Sequence, residues 1–272
     1  SLNNEALLLT FFYHISLALD KERLNRHVGE SRIYAESERL YKTLFNSISH
    51  ELRTPLSTIH GASAGLLDEK TSDDPLIRKT LAKDIHDATG RLNRLVENLL
   101  NMSRLESGRI RISRQWCDIQ DLYATVKSQF AAVLSKHEVT IDVEPDFPFI
   151  KIDDGLFYQI VSNIVLNSAQ YCPQGTKISM KAFMDNSIPT LRFDDTGNGF
   201  PANSIPRLFD KFYRVPGTTS GGTGLGLSIA KGFVDAHGAT ITAANNEHGG
   251  AQITITLPSM AQPVSMQDNE NG

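Results

Sequence analysis

Apolar residues in the first half of the chain return with a seven-residue rhythm. Phe45, Leu52, Ile59 and Leu66 hold one position of it, and Ile48, Pro55 and Ala62 hold the companion position. A second run places Ile85, Leu92 and Leu99 at one seam position and Leu81, Ala88, Leu95 and Met102 at the other. This a/d spacing predicts two long helices. The polar stretch Lys70-Thr71-Ser72-Asp73-Asp74-Pro75 joins them, with Pro set to open the second helix, which ends near Ser107-Gly108. The apolar stripe is wider than one hairpin can cover. Two copies would form a four-helix bundle, so a homodimer is expected, against the alternative of a monomeric hairpin packed on its own C-terminal half. Upstream, Leu7 to Leu24 reads as another amphipathic helix running into the charged stretch Glu30 to Arg39. It is either a signal-carrying helix or the end of an upstream domain, and the pattern leaves both open.

From Trp116 the texture changes. The pattern predicts a helix over 118–135, an alternating strand from Val139 to Val143, a helix over 154–171 and strands near 176–183 and 189–195. A Gly/Thr/Ser-rich stretch over 216–224 precedes a helix from Leu225 to Ala236, capped by Gly238. Strands over 239–244 and 251–257 flank a hairpin from Asn245 to Gly250. The expected fold class is an all-α hairpin that dimerises, followed by an α+β layer with one mostly antiparallel sheet and helices on one face. The expected organisation is an N-terminal signalling helix over 1–37, a helical domain over 38–110, an α+β domain over 111–258 and a disordered tail over 259–272.

Composition narrows the function. Of 272 residues, 27 are Lys or Arg and 31 are Asp or Glu, a net charge of −4 that argues against a dedicated nucleic-acid binder. No apolar run reaches the roughly 18 residues of a membrane-spanning helix. The longest, Ala6 to Leu19, is interrupted by His14. Ser1 opens the chain without a Met or a cleavable signal, so a piece of a longer protein is expected. Two isolated cysteines, Cys117 and Cys172, offer neither a disulfide framework nor a CxxC metal site and fit a reducing cytosol.

Four constellations carry chemistry. In the heptad register His50 falls at position f, pointing to solvent rather than into the seam. Glu51 beside it could take a proton from one ring nitrogen and leave the other as a nucleophile. Thr54 lies one turn on, where its hydroxyl could orient a water, and Pro55 bends the helix past the histidine. On the helix after Asp153, Asn163 and Asn167 stand four apart on one face, a pair of neutral oxygens suited to Mg²⁺ already charge-matched by a triphosphate. Gln170 and Tyr171 follow at the helix end, where the Tyr171 ring could lie along a nucleotide. Asp195-Thr196-Gly197-Asn198-Gly199 places a carboxylate at a strand end, where it could accept an adenine amine, with Gly197 and Gly199 allowing close approach. Gly222-Thr223-Gly224-Leu225-Gly226 opens a helix whose N-terminus could hold a polyphosphate. Its spacing is neither a Walker loop nor a dinucleotide fingerprint. Between the last two, Phe209 and Phe212 anchor the start of a lid, and Arg214 could reach phosphate.

Each motif alone is weak; their order is not. Across residues 38–258 the chain resembles the sensor histidine kinases of two-component signalling, with an H box at His50, an N box from Asn163 to Tyr171, a first glycine box from Asp195 to Gly199, phenylalanines at 209 and 212 and a second glycine box from Gly222 to Gly226. That resemblance implies a Bergerat-type ATP-binding sandwich and Mg-ATP as phosphoryl donor. It implies autophosphorylation of His50 within a homodimer, in cis or in trans, and transfer to an aspartate of a response-regulator receiver domain. By matching position Asn167 would hold Mg²⁺ with Asn163 in support, and Asp195 would select adenine. Thr54 and Glu51 further suggest a phosphatase activity toward the partner. The segment Ala35 to Leu40 is similar to Kdp-type potassium and turgor sensor kinases, whose resemblance places this piece in the cytoplasm of an inner-membrane-anchored parent. Two departures stand out: Gln170 replaces a basic residue frequent in the family, and Glu51 replaces the Asp expected of the Kdp subgroup. ATP-driven conformational machines of the same nucleotide fold need a carboxylate base where this chain has Asn163, which favours transfer over hydrolysis.

Overall fold

The computed structural model describes residues 48–68, 73–218 and 222–257. The readings made for 1–37 and for the 259–272 tail lie outside them. The chain divides into two compact units, 1–50 and 51–272. Of the first, residues 48–50 are described; they are helical, and His50 is exposed, as position f requires.

The second unit opens with helix α1 over 51–67 and continues with α2 (Pro75–Glu106). Asp74 caps α2, its carboxylate accepting the Leu76 N–H at 2.8 Å, and Pro75 stands at the first helical position, as the sequence predicts. The helix stops at Ser107, with Gly108 in the left-handed region. Burial separates the two seam lines, apart from Ile48 and Leu81, which belong to the more buried line but are themselves half-buried. Pro55, Ala62, Ala88, Leu95 and Met102 are buried, whereas Leu52, Ile59, Leu66, Ile85, Leu92 and Leu99 are only half-buried. The helices approach closely at Gly65, where a Cβ would lie 3.1 Å from Leu81 Cδ1.

Downstream come β1 (Gln115–Cys117), α3 (Ile119–Gln129), α4 (Ala131–Leu134), β2 (Glu138–Val143), β3 (Ile150–Ile152), α5 (Asp154–Tyr171), β4 (Lys177–Asp185), β5 (Ile188–Asp195), α6 (Gly226–Ala236), β6 (Thr240–Asn245) and β7 (Ala251–Thr256). Five strands form one sheet in the order β2-β4-β5-β7-β6, with β2–β4 parallel and the other pairs antiparallel. The sheet is mostly antiparallel, as expected, and its β2–β4 pair is parallel because the chain returns from β2 to β4 through α5. Register aligns Met180, Phe193, Ile253 and Ala243 in one row across the sheet, and Ala182, Leu191, Ile255 and Ile241 in the next. These side chains share the core with Phe157, Ile160 and Ile164 of α5 and Phe233 and Val234 of α6. Tyr123 of α3 meets Phe193 edge to face at 5.7 Å, and its hydroxyl donates to the Lys181 carbonyl at 3.1 Å.

Two expectations need correction. The single helix over 118–135 is broken at Phe130, whose backbone leaves the helical region (φ −104°, ψ 20°). The two-stranded β1–β3 ladder was not foreseen.

The end of α2 packs on the sheet-bearing part. Met102 joins the core there. A Cβ on Gly232 of α6 would come within 2.6 Å of Leu105 Cδ2, so glycine is what lets α2 approach. The Asn101 amide donates to Gln159 Oε1 at 2.7 Å, and Lys211 pairs with Glu106 at 2.9 Å.

Candidate functional site

A cavity of about 550 Å³ opens between α5, the end of β5 and the loop that enters α6. Regular structure brings its walls together. The α5 periodicity aims Asn163, Asn167, Gln170 and Tyr171 into it. Strand β5 delivers Asp195 at its last residue, and Gly199, Arg214, Gly222, Thr223, Gly224 and Gly226 complete the wall.

Asp195 is 4% exposed. Its Oδ1 accepts the Gly197 and Ala251 N–H groups, both at 3.0 Å, and its Oδ2 accepts the Ser168 hydroxyl at 2.9 Å. Asn246 donates to the Asp195 carbonyl at 2.8 Å while accepting the Gly250 N–H, so the β6–β7 turn clamps the aspartate's backbone. Asn245 grips Phe200 through both amide atoms, at 2.7 and 2.8 Å. Gly199 has φ +63°, and a Cβ on it would collide with the Gly249 carbonyl oxygen. Gly197 and Gly199 thus make room for neighbouring parts of the chain, a Cβ on Gly197 falling 2.5 Å from Cys172 Sγ.

At the other end, Gly224 (φ +68°) lies so near Tyr213 that a Cβ would sit 2.6 Å from its carbonyl oxygen. Its own carbonyl accepts the Phe212 N–H at 3.1 Å, and Phe212 itself is left-handed (φ 63°). Phe209 and Phe212 pack against the core rather than lining the cavity. Leu225 is fully buried ahead of α6, so it anchors the loop instead of facing the cavity. The Gly222 N–H donates to Glu51 Oε1 at 3.0 Å, bringing the carboxylate of the H box to the second glycine box. Burial raises the Tyr171 phenol, with Arg214 opposing and Glu51 adding to the rise. Thr54 is exposed on α1, and its carbonyl accepts the Thr58 hydroxyl at 3.1 Å.

Two family models match the chain. Residues 41–108 match the His Kinase A (phospho-acceptor) domain, and residues 152–261 match the histidine kinase-, DNA gyrase B- and HSP90-like ATPases. The chain belongs to the sensor histidine kinases. This kinase is 30% identical over 257 residues to the sensor protein KdpD of Clostridium acetobutylicum, covering 93% of the chain and 29% of that protein. It is 31% identical to KdpD of Escherichia coli K12, covering 98% of the chain and 30% of that protein. Sensor histidine kinase WalK of Bacillus subtilis is 33% identical, over 78% of the chain and 36% of WalK. The chain therefore spans about three-tenths of the length of the first two relatives. Two solved structures share its fold at 23% identity. Acinetobacter baumannii AdeS has a TM-score of 0.56 over 76% of the chain and 96% of AdeS. Full-length ShkA, in complex with AMPPNP, has a TM-score of 0.59 over 81% of the chain and 46% of ShkA.

Sequence reasoning missed several residues of the kinase's cavity. Arg94 and Asn98 line it from α2, and Ser168 and Cys172 line it beside Asp195. The Cys172 thiol is pushed up to about 12 by burial and by the neighbouring Asp195 carboxylate. Ser168 lies within the N box but carries no signal of its own there, and Arg94, Asn98 and Cys172 stand outside the motifs; only the folded chain brings the four to the cavity. Among the described residues no cluster of His, Cys, Asp and Glu could hold a metal ion. The Asn163 and Asn167 amide oxygens form a hard, neutral donor set that fits Mg²⁺ carrying phosphates and waters. Also among the described residues, no helix is long and apolar enough to cross a membrane.

Proposed function

We propose that this kinase binds Mg-ATP in the cavity, phosphorylates His50 and passes the phosphoryl group to an aspartate on a response-regulator receiver domain. The observation that carries the reading is the cavity's polarity. A firmly held carboxylate, Asp195, stands at one end, and a glycine-opened helix N-terminus at the other. The first suits an adenine amine and the second a triphosphate, with Arg214 and Thr223 beside it. Tyr171 would lie along the nucleotide and Gln170 near the phosphates. The AMPPNP bound by ShkA supports an adenine nucleotide here.

Asn167, with Asn163 in support, would hold Mg²⁺, which supplies charge neutralisation on the phosphates. The protein's own part in the transfer is positioning. The bond between the γ-phosphorus and the bridging oxygen breaks with its electron pair leaving on ADP, and a ring nitrogen of His50 forms the new bond. Glu51 would take the proton from the other ring nitrogen. Thr54 would orient water in a reverse, phosphatase reaction on the receiver. Asn163 has an amide where a hydrolytic enzyme needs a base, which favours transfer over direct ATP hydrolysis. The domain limits that go with this reading are 38–110 for the phosphoacceptor and 111–258 for the nucleotide domain. The piece would work in the cytoplasm as part of a membrane-anchored parent.

The test is incubation with γ-labelled ATP and Mg²⁺. The chain should acquire a phosphate that is acid-labile and base-stable, and His50→Gln should abolish it. Label that survives the substitution would overturn the assignment.

A further inference from the structure

Asp195 carries more hydrogen bonds from the protein than a base-recognising carboxylate needs for orientation. A carboxylate offers about four lone-pair directions, two on each oxygen. Oδ1 spends both on backbone donors, Gly197 and Ala251 at 3.0 Å each. Oδ2 spends one on the Ser168 hydroxyl at 2.9 Å. The Cys172 thiol lies beside this carboxylate. A thiol is a weaker donor than any of these, and one that an N–H displaces. The group cannot swing to offer a different face, because Asn246 holds its carbonyl at 2.8 Å and its side chain is 4% exposed.

Any base that reaches Asp195 therefore finds a single acceptor direction, on Oδ2. Adenine presents one N–H there, from its exocyclic amine, beside a ring nitrogen that only accepts. Guanine presents two parallel donors, a ring N–H and an amine, and one of them would be left unpaired in a buried site. We propose that Ser168 is a base-selecting positioning residue: by filling one lone pair of Asp195 Oδ2, it reduces the site to one acceptor and so excludes guanine nucleotides. The inference rests on the reading of Asp195 as the group that binds the base. It assigns the discrimination to a hydroxyl one position beyond the Asn163–Asn167 pair, on the turn of α5 that faces β5.

Displacement of a fluorescent ATP analogue from the whole chain, by ATP and by GTP, measures the ratio of their affinities. Ser168→Ala opens the second direction on Oδ2, and the preference for ATP over GTP should shrink by about fivefold or more. Ser168→Thr keeps the hydroxyl and should keep the wild-type ratio, which a merely structural role would not require. A ratio unchanged in Ser168→Ala, or equally reduced in Ser168→Thr, overturns the proposal. Asp195→Asn separates this failure from that of the underlying reading. It should weaken ATP about tenfold or more, the usual effect of losing a buried hydrogen-bonded charge. If it binds ATP like the wild type, Asp195 does not hold the base, and the role of Ser168 falls with it.

Discussion

Asn163 and Asn167 show how one helical turn sets the chemistry of a site. Four residues apart on α5, they reach the same cavity, and both side chains are neutral. A triphosphate brings its own negative charge, so a neutral oxygen can share Mg²⁺ with it without repulsion. In the proposed site, Asn167→Asp would place a carboxylate beside the phosphates. The free protein should then bind the metal more readily while repelling the nucleotide. The Mg²⁺ dependence of nucleotide binding should accordingly shift several-fold, read by titrating Mg²⁺ at fixed ATP. Superimposable titration curves would remove Asn167 from the metal site. This pair was legible in the sequence because its spacing is local. The hydroxyl of Ser168 was not, although it lies next to Asn167, because its meaning depends on a carboxylate 27 residues away on β5. Arg94 and Asn98 escaped for the same reason: they come from the long helix, and only packing turns them toward the cavity.

Elements are fixed by their ends as well as their faces, and His237 ties two ends together. It follows α6 and is 1% exposed. Its Nδ1–H donates to the Phe233 carbonyl at 2.7 Å, while Nε2 accepts the Asp153 N–H at 3.1 Å; the partners require this neutral tautomer. Asp153 in turn caps α5 through the Leu156 N–H and accepts the Ser113 N–H at 2.8 Å, and Arg114 donates to the His237 carbonyl at 3.1 Å. The knot thus joins the segment leaving α2, the start of α5 and the end of α6. Burial holds the imidazole below its usual value near 6.5, with the Phe233 bond and Asp153 opposing and Arg114 reinforcing. The sign follows: below pH of about 6.5 the unfolded chain binds a proton that the folded chain resists. Stability from this residue is complete above that pH and is lost as the pH falls through the lowered folded value. Urea unfolding at pH 7.5 and 5.5 should show a larger loss for the wild type than for His237→Gln. Equal losses would assign the pH dependence elsewhere. The elements themselves were legible where they are long. α2, α5 and α6 follow the 3.6-residue period, and β4 and β5 alternate. Three-residue strands such as β1 and β3 are too short to show any period, and the break at Phe130 lies inside an unbroken helical pattern.

On the scale of the whole molecule, the hairpin has apolar surface that stays exposed among the described residues. The buried seam line, Pro55, Ala62, Ala88 and Leu95, is already out of water in one chain. The companion line, including Leu52, Ile59, Ile85 and Leu92, stays half in water. Beside it Leu56 is 51% exposed and Val96 is 44% exposed. Burying each such side chain fully is worth about 1.5–3 kcal/mol, so a stripe of this length provides enough to hold two hairpins together. The expected complement is a second copy of the same stripe, which would yield a four-helix bundle by two-fold symmetry. The monomeric alternative, in which the chain's own sheet covers the hairpin, meets only part of the need. The sheet-bearing part packs at the far end of α2, around Met102 and Leu105, and leaves Leu56 and Val96 in solvent. Sedimentation of the whole chain should therefore give a dimer at micromolar concentration. The double substitution Leu56→Lys and Val96→Lys changes residues already exposed in one chain, so the fold should persist by circular dichroism. In the bundle it would bury four new charges, and the dimer should dissociate to monomers. A double variant that sediments as the wild type would move the interface away from this stripe.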